Sequence, residues 1–159
     1  KGRSAKYYVQ FNPLVNESIM NLTFRQYNYQ IGMDIRSPLA RFFYKRMAQY
    51  WTQASESHPY QPNLVAFLEQ SPRGLTGKMG ENLRAMRSAL DTLKKHKVIS
   101  RYDEEKVLKG KQKVIDARYT IFPHPDFVNE VIRANQRKNA LKTRALRNDI
   151  EFKDIHDKS

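Results

Sequence analysis

The stretch from Leu75 to Phe122 constrains the fold more than any other part of the chain. Between Glu81 and His96, Leu83, Met86, Leu90 and Leu93 recur at spacings of three and four, which puts them on one face of a helix. Arg84, Ser88 and Lys95 fall on the other face, with Arg87 nearer the border. Val98–Tyr102 comes next, and two strand-like runs, Lys106–Lys109 and Lys113–Phe122, then flank the turn Gly110-Lys111-Gln112. Ile115, Ala117, Tyr119 and Ile121 alternate onto one face of the second run. A helix with one buried stripe and an Arg- and Ser-bearing outer face suits a DNA major groove, and a two-stranded wing after it gives the order of a winged helix-turn-helix. Periodicity alone fits any amphipathic helix beside a hairpin; charge separates the two readings.

The chain carries 29 Lys and Arg against 16 Asp and Glu, a formal net charge of +13. Residues 78–113 hold 11 basic and 5 acidic side chains, and residues 133–147 hold 6 basic and none acidic. The surplus peaks on the proposed helix and wing and on a late helical segment. Such a field attracts polyanions. No apolar run approaches the roughly 18 residues of a membrane span, and no secretory pattern opens the chain. The absence of cysteine excludes disulfides, thiolate metal sites and cysteine nucleophiles and fits a reducing, cytoplasmic setting. Two sequons, at Asn16 and Asn21, are then read as chance, and a start at Lys1 suggests a piece of a longer protein.

Lys6–Phe11 reads as a strand ending at Asn12-Pro13, and Leu14–Leu22 as a short helix. Phe24–Ile35 is aromatic and ambiguous, with alternation favouring an extended segment; Tyr7, Tyr8, Phe24, Tyr27 and Tyr29 are expected in the core rather than stacked on bases. Ser37-Pro38 opens a helix to about Ala54, with Leu39, Phe42, Phe43, Met47, Tyr50 and Trp51 on its apolar face. Leu64–Gln70 is the short supporting helix before the recognition helix. Asp126 caps a last helix bearing Phe127, Val131, Ile132 and Ala134, whose pattern weakens after Asn135; Glu151–Ser159 is expected to fray. The fold expected is α+β and mostly helical, with an added N-terminal strand and helix. Residues 6–138 form the winged-helix domain, and residues 139–159 a basic-to-polar extension, helical then frayed.

The four histidines are never paired at metal-ligand spacing, and Gly74–Lys78 lacks the spacing of a phosphate-binding loop. No catalytic constellation is present, so no cofactor and no enzymatic activity are expected. Arginines on a helix are ordinarily a solvated face. Here they adjoin Lys78 and Asn82 at the helix N-terminus, which makes Lys78, Asn82, Arg84, Arg87, Ser88 and Lys95 the candidate reading residues. Arg101, Lys106, Lys109, Lys111 and Lys113 are the candidate wing contacts to phosphate or minor groove. Arg133, Arg137, Lys138, Lys142, Arg144 and Arg147 fit a solvated helix end equally well.

Three segments, Asn12–Val15, Leu22–Tyr29 and Ser37–Met47, together resemble the initiator proteins of bacterial plasmid replication, the TrfA- and RepA-like group. Asn82–Arg84, Ala89-Leu90, Val98-Ile99 and Pro125–Phe127 fit the same pattern, so the resemblance spans most of residues 6–138. It implies a winged-helix domain that binds repeated double-stranded sites in a plasmid origin, several copies side by side, and that works with host replication proteins. Such initiators often carry two winged-helix domains, and this chain is long enough for one. The alternatives are a winged-helix transcriptional regulator, dimeric through its C-terminal helix, and a winged helix that binds protein instead of DNA.

Overall fold

The computed structural model describes residues 10, 12–15, 27–110 and 112–156, with side chains through residue 144. The chain divides into two units, Gln26–Arg137 and, separately, Lys1–Arg25 together with Lys138–Ser159. Among the described residues the protein is α+β. Helices α1 (Tyr29–Asp34), α2 (Pro38–Tyr50), α3 (Leu64–Glu69) and α4 (Met79–Lys95) precede strands β1 (Ile99–Lys109) and β2 (Lys113–Pro123), and α5 (Pro125–His156) follows. The expected strand Lys6–Phe11 lies almost wholly outside the described residues, as does the helix Leu14–Leu22 beyond a helical turn at 13–15. No helix among the described residues is long and apolar enough to cross a membrane.

Local chemistry sets the boundaries in the larger unit. The Asn28 side chain accepts from the Gln30 and Ile31 backbone N–H groups and starts α1, so Tyr29–Asp34 is helical where alternation favoured an extended segment, while residues 24–26 lie outside the described residues. Tyr29 thereby turns outward and is 66% exposed, contrary to its expected core position. Tyr27 meets Tyr44 edge-on at 6.0 Å but is itself 39% exposed, also outside the core expected for it. Ser37 caps α2 through the Ala40 N–H, with Pro38 at the first position, and the helix ends at Tyr50 instead of Ala54. Tyr50, expected in the apolar stripe, is exposed; Tyr44 takes a core position instead, fully buried. Its hydroxyl donates to Glu130 Oε2 at 3.0 Å and accepts from the Asn28 N–H at 3.2 Å.

Lys97 adopts a left-handed φ of +54° just after α4, while the Val98 N–H closes on the Leu93 carbonyl at 3.0 Å. This cap turns the chain sharply from α4 into β1. β1 is one continuous strand, joining the segments Val98–Tyr102 and Lys106–Lys109. It pairs antiparallel with β2, and the pairing ends at Lys109–Lys113 over a turn in which Gly110 has φ +67°, a conformation suited to glycine. The register jumps from Val107–Asp116 to Leu108–Val114, leaving Ile115 as the extra residue of a bulge. Ala117, Tyr119 and Ile121 keep the expected alternation and are fully buried, whereas the bulge takes Ile115 out of phase and leaves it 40% exposed.

Tyr60 and Asn63 form isolated bridges to Ile121 and Arg118, so the segment before α3 lies along the free edge of β2. Asp116 then accepts from the Val65 N–H at 3.0 Å at the start of α3. Leu83, Met86, Leu90 and Leu93 join Met47, Leu64 and Phe67 in one core, with Phe42 partly buried against it, as the helix phase required. Phe127 and Val131 of α5 belong to that core, but Ile132 is 45% exposed. Pro125 opens α5, and the Asp126 N–H is met by His124 Nδ1 at 3.1 Å, so His124 takes the capping place expected for Asp126. From Asp126 onward the sequence holds neither Gly nor Pro, and α5 continues to His156 through most of the segment expected to fray.

Candidate nucleic-acid interface

The loop that leads into α4 is held by one buried side chain. Asn82 is fully buried; its Oδ1 accepts from the Thr76 N–H at 3.1 Å, the Thr76 hydroxyl at 2.9 Å and Arg73 Nη1 at 3.1 Å. Its Nδ2 donates to the Thr76 carbonyl at 2.8 Å. Asn82 is therefore removed from the candidate reading residues: with every polar group committed inside the protein, it has no surface to offer a base. Lys78, four residues before it, is exposed and pairs with Glu81 at 3.3 Å.

Along the outward face of α4 runs an open groove of about 460 Å³, lined by Arg84, Arg87, Ser88, Asp91, Thr92 and Lys95. Arg84, Ser88, Asp91 and Lys95 follow one another at steps of four, three and four, a single helical stripe. The structure thus brings together four of the residues expected from sequence, Arg84, Arg87, Ser88 and Lys95, and adds Asp91. The stripe spacing was available in the sequence; an acidic residue simply does not suggest itself as a DNA contact.

Arg87 lines the groove and also reaches across to the hairpin. Its Nε and Nη2 donate to Glu104 Oε2 and Oε1 of β1 at 2.7 and 2.6 Å. The Tyr119 hydroxyl of β2 donates to the same Glu104 Oε2 at 3.0 Å, and the Tyr102 hydroxyl donates to Asp91 Oδ1 at 3.2 Å. The base of the hairpin is clamped to α4 by these bonds. The Arg87 hydrogen bonds hold the Glu104 carboxyl below its ordinary value against the opposing effect of burial, with the Tyr119 bond assisting. Burial, followed by the charge of Glu104, pushes the Tyr119 phenol up; burial and then Asp91 do the same for Tyr102. Both phenols stay protonated donors at neutral pH. Arg87 is thus a clamp residue that spends two of its five N–H donors on Glu104 while its half-exposed side chain still faces the groove.

Alternation along β1 sends Tyr102 and Glu104 toward α4 and Arg101 to the opposite face. There the Arg101 guanidinium lies 3.4 Å from the centroid of Phe122 and pairs with Glu56 at 3.3 Å and Asp103 at 3.7 Å. Arg101 is therefore not part of the helix-side surface, a placement that strand parity carries and composition does not. Lys106, Lys109 and Lys113 are exposed along the distal hairpin, and Lys111 lies outside the described residues. Among the described residues no group of His, Asp or Glu could hold a metal ion. Comparison with protein-family models, characterised proteins and solved structures gives no match.

Proposed function

We propose that residues 27–137 form a winged-helix domain that binds double-stranded DNA, with α4 in the major groove and the hairpin against the adjoining backbone. The observation that carries this reading is the joint arrangement of the α4 groove, bearing Arg84, Ser88 and Lys95, and a hairpin braced against the same helix with Lys106, Lys109 and Lys113 beyond the brace. The order α2, bridged segment, α3, α4, hairpin supports it, because a supporting helix, a recognition helix and a wing follow one another in that order. The net charge of +13 supports a polyanionic partner. The domain acts by binding and performs no chemistry.

In this reading the chain serves plasmid replication, loading side by side on repeated origin sites in the cytoplasm and working with host replication proteins. Its support is the resemblance carried by residues 12–15, 22–29 and 37–47. Binding to tandem direct repeats and to inverted repeats of a selected site tests it. A replication initiator fills direct repeats, whereas preference for a palindrome identifies a dimeric regulator. Affinity that does not fall with rising salt identifies a protein-binding domain instead. Within the duplex reading, Arg84→Ala should cost about 1–3 kcal/mol on the selected site and relax preference at one base pair. Equal losses on selected and scrambled duplexes would assign Arg84 to phosphate.

A further inference from the structure

A carboxylate in the middle of a surface built for a polyanion needs a reason. Asp91 is exposed, lines the α4 groove between Ser88 and Lys95, and forms no salt bridge among the described residues; its Oδ1 is oriented by the Tyr102 hydroxyl at 3.2 Å. A phosphate brought to that point meets like charge, so Asp91 weakens any binding that relies on the backbone alone. A base edge presenting an amino donor meets an acceptor. In the major groove cytosine offers its N4 amino group, the partner that a carboxylate side chain takes. We propose that Asp91 is a specificity-determining residue of the duplex-binding surface, accepting from cytosine N4 and excluding phosphate. This inference rests on the duplex-binding reading.

The geometry gives the site a second coordinate. Arg84 and Asp91 are seven residues apart on one stripe, about 10 Å along the helix axis at about 1.5 Å per residue. With base pairs stacked about 3.4 Å apart, that span covers about three steps. Arg84 is a donor suited to guanine O6 and N7, so the two side chains together select a guanine and a cytosine about three base pairs apart. The clamp orients this pair: Glu104 holds Arg87 in place beside the stripe, and the Tyr102 hydroxyl fixes the direction of the Asp91 carboxylate.

The test selects preferred sites from a randomised duplex library with the wild-type chain, Asp91→Ala and Asp91→Asn, then measures affinity for the wild-type site and a scrambled duplex. The wild type should enrich a cytosine about three base pairs from a guanine. Asp91→Ala should lose the cytosine preference, bind scrambled DNA more tightly, and cut discrimination between the two duplexes by about fivefold or more. Asp91→Asn retains an acceptor for the Tyr102 hydroxyl and so keeps the local fold. It should move the preference at that pair from cytosine to adenine, whose N6 and N7 suit an amide. Unchanged base preference in both variants overturns the assignment. So does tighter binding to both duplexes by one common factor, which would reduce Asp91 to bulk charge. In either case the wild-type site remains and duplex recognition stands; a wild-type chain that enriches no sequence overturns duplex recognition and the Asp91 assignment together.

Discussion

The two ends of one hairpin obey different rules. Near its base, Ala117, Tyr119 and Ile121 are buried and Glu104 joins β1 to α4 through Arg87. Beyond the Ile115 bulge, Lys109 and Lys113 are exposed, and even the aliphatic Leu108 is 51% exposed. The same two strands thus serve packing at one end and charge at the other, and the bulge marks the change. A mutation at the base should act first on folding, and one at the tip on ligand capture alone.

The sharpest break of that contrast is Tyr119→Ala. It removes a fully buried ring and the donor to Glu104 together. Buried aromatic truncations cost about 3–5 kcal/mol, and a denaturant melt should show a loss in that range. A loss under about 1 kcal/mol would mean that the base of the hairpin is no more essential to the fold than its tip.

Asn82→Ala comes next. It strips partners from the half-buried Thr76 N–H and carbonyl and from the exposed Arg73, and a polar group left unpaired away from water costs about 1–3 kcal/mol. Thr76 can recover part of this through water, so a net loss of about 2–3 kcal/mol is expected in the same melt. Unchanged stability would show that the loop before α4 stands without its buried pin.

Asn82 also shows what the sequence makes legible. Its spacing from Met86, Ala89 and Leu93, at four, seven and eleven, is that of the buried stripe, a phase that the reading of Asn82 as a base contact passed over. Its polarity suggested a base contact, and phase proved the stronger signal. The core stripe of α4, the Ser37 cap and the glycine turn were readable because each depends on residues a few positions apart. Two things were not readable. The clamping of Arg87 depends on Glu104, seventeen residues away and brought near by tertiary packing. The Ile115 bulge depends on register, which alternation within one strand cannot fix. Arg84, Ser88 and Lys95 did assemble as expected because they share the helix that the apolar stripe orients.

Glu104→Gln probes the clamp that divides base from tip. It keeps the side-chain shape and removes the charge paired with a half-exposed Arg87, so the loss should be about 1 kcal/mol near neutral pH. The pH dependence has a definite sign. The folded-state carboxyl titrates below its ordinary value of 4.5, so the folded protein holds this proton less readily than the unfolded chain. The contribution is complete above that value and is lost as pH falls through the lower folded value. Wild type and Glu104→Gln should therefore converge in stability as pH drops below about 4.5. Parallel acid-unfolding curves would show that the Arg87 bond adds nothing to the brace.

The smallest effect on folding should come from the tip. Lys109 and Lys113 are exposed and face each other as the last pair of the ladder, where two like charges repel. Nothing in packing calls for them, so Lys109→Ala with Lys113→Ala should shift stability within about 0.5 kcal/mol, with relief of that repulsion tending to raise it. On the proposed duplex-binding reading their effect belongs to binding. Each lost phosphate contact should lower the slope of log affinity against log salt by about 0.9, and selected and scrambled duplexes should weaken by similar factors because phosphates carry no sequence. An altered base preference would mean that the tip reads the duplex itself. An unchanged salt slope would detach the tip from the nucleic acid, leaving the groove of α4 as the whole of the contact surface and the lysines as protection of an open strand edge.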